Sequence, residues 1–284
     1  VNLWASIMEL QDKSPEVPIL IEKVGFRDVR RRVKLQTPKG QITLDLSLDL
    51  YVEIPSDRRG AHLSRSIEAL EVLDVEGKSL EEYLESIASK LLEKHSYAIR
   101  ASAIAKTTYY VEVEFRGIKS LEPVIVEAEV TRSRDGTRLW SISVEVTGLT
   151  VCPSALETTQ YYGEKLSHMQ RVELKARIHT IGEQARIEKI ARALYSSLSA
   201  PAITLLKRAD EAKLVIEAYR NPKLVEDVVR DATRNIALEL VKLRDDTLVE
   251  IEAKSYESIH PHNLYAYTKL TLRDAKSILE SSHS

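Results

Sequence analysis

One thiol and several imidazoles are spaced along the second half of the chain in a pattern that could hold a metal ion. Cys152 is the single cysteine, His168 follows it by sixteen residues, and Glu257, His260 and His262 lie together further on. Thiolate, imidazole and carboxylate groups are the ligands of zinc and related divalent ions. A lone cysteine cannot form a disulfide within its own chain, so the set predicts a metal site.

Each of these residues also has a plainer interpretation. Cys152 could be a small buried apolar residue, and His168 could be a core histidine. His260 and His262 are harder to explain by packing, because they point to the same side of an extended segment that a proline stiffens. They could bind the metal or transfer protons beside it. Glu257 falls on the apolar side of its strand, where it needs a partner, and its alternative is a buried ion pair.

Two more carboxylates, Glu211 and Glu226, are candidates in the second half of the chain. Taken alone, each is typical of a charge on the solvated face of a helix. Composition does not single them out.

Composition limits the function classes. The 284 residues are 43% hydrophobic, enough for one large or two mid-sized domains with a sizeable core. A net charge of −2 gives no general attraction to nucleic acid or to an anionic membrane. No apolar run approaches the roughly 20 residues that span a bilayer. We therefore expect a cytoplasmic protein with no membrane or nucleic-acid partner.

Alternating and helical patterns give the first half of the chain a strand, two helices and further strands. The strand runs over 41–54, and the helices cover 64–75 and 79–94, the second with Ser79 and Glu82 as a capping box. Further strands are predicted near 98–115, 123–132 and 138–147, with a hairpin turn at Asp135-Gly136.

The second half repeats this plan. A strand over 168–178 precedes helices at 183–198 and 222–243, the latter with Asn221 as N-cap and Pro222 at its first position, and strands at 247–258 and 263–273 close the chain. Two such units predict an α+β fold with antiparallel sheets and helices on one face of each. We place the domains at 1–148 and 149–284, the second carrying most of the candidate residues.

Several motifs together resemble GTP cyclohydrolase of the IB type, over about residues 10–272. They are Gly60-Ala-His62-Leu-Ser64-Arg65, Cys152-Pro, Tyr162-Gly163, His168-Met-Gln-Arg171, Lys207-Arg-Ala-Asp-Glu211, Tyr219-Arg-Asn-Pro-Lys-Leu-Val-Glu226 and Glu257-Ser-Ile-His-Pro-His262. The chain departs from bacterial members in having Ser154 in place of a second cysteine and a longer spacing from Cys152 to His168. Both departures indicate the archaeal branch that feeds methanopterin synthesis.

The resemblance implies tandem tunnelling-fold units in a homotetramer, with active sites between subunits. It implies Cys152, His168 and Glu211 as metal ligands, for Fe²⁺ or alternatively Mn²⁺ or Zn²⁺. Glu226 matches the carboxylate that anchors the purine. Glu257, His260 and His262 match the acid–base cluster, with Cys152 as a further catalytic residue.

The implied reaction is metal-dependent hydrolytic opening of the guanine imidazole ring of GTP with formate release. The archaeal product is 7,8-dihydroneopterin 2',3'-cyclic phosphate, and the alternative is the bacterial-type 7,8-dihydroneopterin triphosphate for folate synthesis. His62, Arg65 and Arg171 are our candidates for phosphate contacts, with surface ion pairs as the alternative.

Three competing interpretations remain open at this point. The first is a pterin reductase, aldolase or synthase relative on the same fold, although no nicotinamide site is visible. The second is a binding or structural protein, which would leave the paired histidines unexplained. The third is nucleic-acid binding through the basic residues of 27–34, which are more typical of one solvated strand face.

Overall fold

The computed structural model describes residues 10–71 and 77–281. The chain forms two compact units. One comprises the chain up to Thr107 together with Glu127–Ser141, and the other comprises Thr108–Val126 and the chain from Ile142 onward. None of the described helices is both long and apolar enough to cross a membrane.

The first unit is an antiparallel sheet with two helices. Its strands are β1 (Ile21–Thr37), β2 (Gly40–Ile54), β3 (Arg100–Phe115) and β4 (Ile118–Ser133), and its helices are α1 (Ser64–Glu71) and α2 (Leu80–Lys94). Strand β2 pairs with β1 on one side and with β3 on the other. Strands β3 and β4 continue into the second unit, as does β5 (Arg138–Val151).

Local sequence signals predicted this unit well. The side chains of Leu46, Leu48 and Leu50 on β2 are at most 1% exposed, as the alternating pattern predicts. The prediction that only one face is buried is wrong for this part of the strand, because Ser47 and Asp49 are also buried, at 8% and 5% exposure. The capping box of α2 is present, because Ser79 accepts from the Glu82 main chain and the Glu82 carboxylate accepts from Ser79 N–H. The predicted helix over 64–75 begins at Ser64, and its predicted end lies outside the described residues.

Several basic residues of β1 form ion pairs with carboxylates of the protein itself. Arg32 makes a two-point contact with Asp45 at 2.7 and 2.9 Å, and Arg31 reaches Glu71 at 2.5 Å. A guanidinium group that already pairs with a carboxylate offers less to a phosphate backbone. This finding disfavours the nucleic-acid interpretation.

The second unit contains the remaining elements. They are the end of β5, α3 (Pro153–Gln160), β6 (Met169–Thr180), α4 (Ile187–Tyr195), β7 (Ala200–Pro201), α5 (Arg208–Arg220), α6 (Val225–Glu239), β8 (Leu248–Tyr256), β9 (Leu264–Thr271) and α7 (Leu272–Ser281). Strand β8 lies between β6 and β9 in antiparallel pairing, and β7 pairs with β5. Helix α6 packs on β8 and β9, and α4 packs on β6.

The predicted helix over 222–243 is wrong at its start. Helix α6 begins at Val225, and Asn221 ends α5 instead of capping α6. The cause is a contact that is distant in sequence: the main-chain N–H of Lys223 donates to the carbonyl of Val151 at 3.0 Å, which holds residues 222–224 outside the helix.

Other boundaries also differ. Helix α4 covers only Ile187–Tyr195 of the predicted 183–198, and helices α3, α5 and α7 were not predicted. The α+β class with antiparallel strands is confirmed. The division into domains 1–148 and 149–284 stays a prediction about two repeats. The two compact units do not divide the chain at a single residue, because β3, β4 and β5 each contribute residues to both units.

Candidate active site

Cys152 lies at the junction between β5 and α3 and is partly exposed. Its Sγ atom accepts a hydrogen bond from the Ala155 N–H at 3.4 Å, so the thiol caps the helix. Its main-chain N–H donates to the carbonyl of His168 at 3.2 Å, and the Ser167 hydroxyl donates to the Cys152 carbonyl at 2.6 Å. Residues sixteen positions apart in sequence are thereby held side by side.

The strands explain this proximity. Strands β5 and β6 are neighbours in the sheet, and Cys152 follows the last residue of β5 while His168 precedes the first residue of β6. The loop between them carries α3. A strand ends where its antiparallel neighbour begins, so both residues lie at the same end of the sheet.

The close approach of β7 supports the end of β5. Gly148 pairs with Pro201, and a Cβ added at Gly148 would lie 2.4 Å from Leu198 Cδ1 and 2.8 Å from the carbonyl oxygen of Ala200. A glycine is therefore required four residues before Cys152.

The imidazole of His168 has a defined set of neighbours. Its Nδ1 atom lies 2.9 Å from Gln170 Oε1 and 3.4 Å from Ser258 Oγ. The Gln170 amide in turn donates to Thr150 Oγ1 at 3.1 Å. Gln170 is 9% exposed and Thr150 is 1% exposed, so this polar chain is buried except at His168.

The predicted acid–base cluster lies in the bend between β8 and β9. His260 and His262 are exposed and stacked, with ring centroids 5.1 Å apart and planes 15° from parallel. Their predicted placement on one side is confirmed, although the segment bends. Glu257 is half-buried, and its Oε1 accepts a hydrogen bond from the Ser255 hydroxyl at 2.7 Å, so its partner among the described residues is a hydroxyl group.

Helix α5 carries Glu211 in its first turn, where the side chain is exposed. The helix is tied to the site at its other end, because the Tyr219 hydroxyl donates to the carbonyl of Ser167 at 2.6 Å. Leu214 and Ala218 of the same helix pack in an apolar cluster with Val151. These contacts fix α5 against both chain segments that carry Cys152 and His168.

Within residues 10–71 and 77–281, no three or more His, Cys, Asp or Glu side chains meet closely enough to hold a metal ion. The structure brings Cys152 and His168 together through the main chain and leaves Glu211 outside that pair. A thiol and an imidazole suit Fe²⁺ or Zn²⁺ as donor atoms, so the residues present fit the predicted ion in chemistry. The ligand set stays a prediction.

Glu226 is exposed in the first turn of α6. The turn before it is anchored to the site, since the Lys223 N–H pairs with Val151, the residue before Cys152. The Lys223 ammonium adds contacts to the Ser197 carbonyl at 3.0 Å and to Asp231 at 2.6 Å. These contacts fix the main chain of the turn that precedes Glu226, whose carboxylate is exposed.

The candidate phosphate contacts are distributed over both units. In the first unit, His62 is buried, and its Nε2 lies 3.1 Å from Asp12 Oδ1, which also accepts from Arg58. The hydrogen bond from His62 and the charge of Arg58 hold the pKa of Asp12 below its usual value. Arg65 lies at the start of α1, half-exposed.

In the second unit, Arg171 is exposed and lies opposite Tyr256 in the β6–β8 pairing. Tyr256 donates from its hydroxyl to Glu173 at 2.7 Å on the same face of the sheet. Burial and the nearby Glu173 carboxylate raise the pKa of Glu145 on this face. The roles predicted for His62, Arg65 and Arg171 stay predictions.

Three polar side chains of the site were not singled out from the sequence. Gln170, Tyr219 and Ser258 contact either the His168 ring or the segment beside it. Gln170 alone carried a signal, because a polar residue two positions after His168 interrupts the apolar side of β6.

Comparison with known proteins gives a full-length match. The sequence model of the family "Type I GTP cyclohydrolase folE2" matches residues 7–266. A protein named GTP cyclohydrolase MptA from Aeropyrum pernix is 44% identical, covering 97% of this chain and 100% of the relative. Proteins of the same name from Thermoplasma volcanium and Methanothermobacter thermautotrophicus are each 32% identical over 96% of this chain, covering 98% and 96% of the relatives.

Solved structures share the fold. Uricase from Arthrobacter globiformis superposes with a TM-score of 0.50 at 10% identity, covering 88% of this chain and 92% of the uricase. A hyperthermostable mutant of urate oxidase from Bacillus sp. TB-90 gives 0.52 at 13% identity, covering 89% and 99%. At this identity the likeness concerns the fold alone, and it confirms the tunnelling-fold class.

Proposed function

Because the chain belongs to the type I GTP cyclohydrolase folE2 family, we propose that it converts GTP to formate and 7,8-dihydroneopterin 2',3'-cyclic phosphate in a metal-dependent reaction that also releases the other two phosphates as diphosphate. The family makes the chain a GTP cyclohydrolase of pterin synthesis. The cyclic product is supported by relatives named MptA and by the two departures from bacterial members, at Ser154 and in the Cys152–His168 spacing.

One observation carries the metal-dependent part of this proposal. The hydrogen bond from Cys152 N–H to the His168 carbonyl holds the main chains of the two residues side by side at one end of the sheet. Cys152 and His168 would hold a divalent ion, with Glu211 as the third ligand. Such an ion lowers the pKa of water and so supplies a nucleophile at neutral pH. A cytoplasmic location fits, because a thiol ligand must stay reduced.

Glu226 would recognise the guanine base. A carboxylate can accept two parallel hydrogen bonds, from N1–H and from the exocyclic amino group. Its exposure on an anchored helix turn leaves both oxygens accessible to a ligand.

The stacked pair His260 and His262 would move protons during ring opening. An imidazole with a pKa near neutrality can protonate N7 of the purine as the C8–N bond breaks and can later accept a proton. Glu257, held by the Ser255 hydroxyl, would orient these imidazoles or stabilise their protonated form.

The site would be completed by other subunits. Large apolar side chains are exposed on the segments that carry it: Tyr161 at 86%, Tyr162 at 83%, Leu205 at 76% and Ile259 at 62%. Large apolar side chains exposed on several segments of one site are typical of an association surface. A homotetramer with active sites between subunits accounts for this exposure and for the position of Glu211 away from Cys152 and His168.

The proposal is tested by incubating the ferrous-loaded protein with GTP under anaerobic conditions. Products are oxidised, separated as fluorescent pterins with and without alkaline phosphatase, and formate is assayed in parallel. The expected product is a pterin that alkaline phosphatase does not change, with one formate released per pterin. Alkaline phosphatase removes the phosphates of a triphosphate but does not hydrolyse a cyclic diester. A phosphatase-sensitive pterin would favour the triphosphate product. Absence of pterin and formate with iron, manganese and zinc would refute the proposal.

A further inference from the structure

Gln170 is a buried amide whose two ends face different partners. Its Oε1 atom lies 2.9 Å from His168 Nδ1, and its Nε2 atom donates to Thr150 Oγ1 at 3.1 Å. Only 9% of its surface is exposed. A polar side chain on the apolar face of a strand, next to the fully buried Val172, costs free energy unless both of its ends are bonded.

The position of Gln170 follows from the geometry of β6. His168 directly precedes β6 and Gln170 is the second residue of the strand, and their 2.9 Å contact places both side chains on the same side. Thr150 on the adjacent strand β5 fixes the far end of the amide. The His168 ring therefore rests on a support that belongs to the core and not to the surrounding loops.

The amide decides which ring nitrogen carries the proton. A carbonyl oxygen only accepts, so contact with Gln170 Oε1 requires the proton on Nδ1 of His168 and leaves the lone pair on Nε2. Histidines that bind metals commonly donate their other ring N–H to a carbonyl or carboxylate in this way. The Ser258 hydroxyl, at 3.4 Å, can donate or accept and so does not select a tautomer.

We propose that Gln170 is a positioning residue that orients the His168 ring and fixes its Nδ1–H tautomer, so that Nε2 is presented to the metal ion. The metal-binding consequence rests on the function proposed above, whereas the tautomer is a property of the protein without metal. The two can therefore be tested separately.

Three variants separate orientation from packing. Gln170→Leu removes the acceptor and keeps the bulk. Gln170→Glu keeps an acceptor toward Nδ1. Glu250→Gln is the matched control, because Glu250 is the partner, at 2.9 Å, of His179, a histidine within β6.

The first measurement is the ¹⁵N spectrum of the imidazoles in the metal-free protein at pH 8, with the His168 signals assigned by their loss in His168→Gln. The wild type, Gln170→Glu and Glu250→Gln should show the Nδ1–H form. Gln170→Leu should shift toward the Nε2–H form that predominates in free imidazoles. A wild-type His168 with its proton on Nε2, or a Gln170→Leu spectrum identical to that of the wild type, would overturn the proposal.

The second measurement is the affinity for Co²⁺ or Fe²⁺, by competition with a chromophoric chelator. Gln170→Leu should bind about 10- to 100-fold more weakly, as is typical when such a supporting partner is lost. Gln170→Glu and Glu250→Gln should bind like the wild type. Equal affinity in all four proteins would overturn the metal-binding consequence. If the wild type binds no ion while the Nδ1–H tautomer is present, the proposed metal-dependent function fails and the positioning role of Gln170 stands.

Discussion

The main-chain N–H of Cys152 donates to the carbonyl of His168 at 3.2 Å, so the end of one strand and the start of its neighbour fix the two residues relative to each other. Neither position depends on a flexible loop, although a helix and a loop separate them in sequence. Substitution of one side chain can therefore remove one contact of the site while the main-chain positions of both residues are kept.

Cys152→Ser should separate the thiol's two roles. A serine hydroxyl caps a helix at least as well as a thiol, so the melting temperature should change little. The soft metal ligand is lost, and GTP turnover and iron content should both fall to background. Ser154→Ala, an exposed change in the same helix, is the control. Full activity of Cys152→Ser with stoichiometric iron would contradict the ligand assignment.

Tyr219→Phe should loosen the helix that carries Glu211. Removing its 2.6 Å hydrogen bond to the Ser167 carbonyl should lower the free energy of unfolding by about 1 kcal/mol. Iron affinity should fall as well, whereas Tyr265→Phe, which removes an exposed hydroxyl bonded to Glu252, should leave it unchanged. Urea unfolding and chelator competition provide the measurements. Unchanged iron affinity in Tyr219→Phe would exclude a link from α5 to the metal site.

His260→Ala and His262→Ala should each lower kcat, because a positioned acid or base contributes roughly 10²- to 10⁴-fold to a rate. The rings are stacked and exposed, so neither change should affect stability much. Pre-steady-state formate release measures the steps up to and including the second C–N hydrolysis, which follows ring opening. His179→Gln serves as the control, because His179 pairs with the first residue of β8, whereas the bend follows the last residue of that strand. Wild-type rates in both alanine variants would rule out the acid–base assignment.

Glu226→Gln should lower kcat/KM for GTP by about 10- to 100-fold, because two charge-assisted hydrogen bonds are lost or weakened. Inosine triphosphate lacks the exocyclic amino group and offers only one of these bonds. The variant should therefore discriminate less between the two nucleotides than the wild type does. Glu157→Gln, an exposed change on α3, is the control. An equal loss with both nucleotides would mean that Glu226 does not read the base.

His95 should make the first unit sensitive to acid. Burial, together with the nearby charge of Arg65, lowers its pKa from 6.5 to about 4. Between these values the unfolded chain binds the extra proton, so the stabilising contribution is complete above pH 6.5 and is lost as the pH falls toward 4. The loss amounts to about 3 kcal/mol. Urea unfolding of the wild type and of His95→Gln from pH 7.5 to 4.5 tests this prediction. If the free energy of unfolding falls equally with pH in both proteins, His95 is not the cause.

Periodic and capping signals predicted β2, α2 and β6 because those signals depend on residues close in sequence. The same reasoning paired Asn221 with the wrong helix, since the bond between Lys223 and Val151 joins residues that are distant in sequence. The candidate residues came from residue types and motifs, but their support did not. Nothing local indicated that Gln170 would reach Thr150 on another strand, or that Tyr219 would bond to Ser167.

The tight approach at Gly148 has an evolutionary consequence. Any side chain there would push against Leu198 and the backbone of β7, and so would displace the strand end that leads into Cys152. Such a substitution cannot be compensated by one neighbouring change, because one of the obstructing atoms is a main-chain carbonyl. Lineages that keep the reaction should therefore keep glycine at this position even where the surrounding β-strand sequence has drifted. Loss of that glycine in a distant relative would be an early sign that its function has changed.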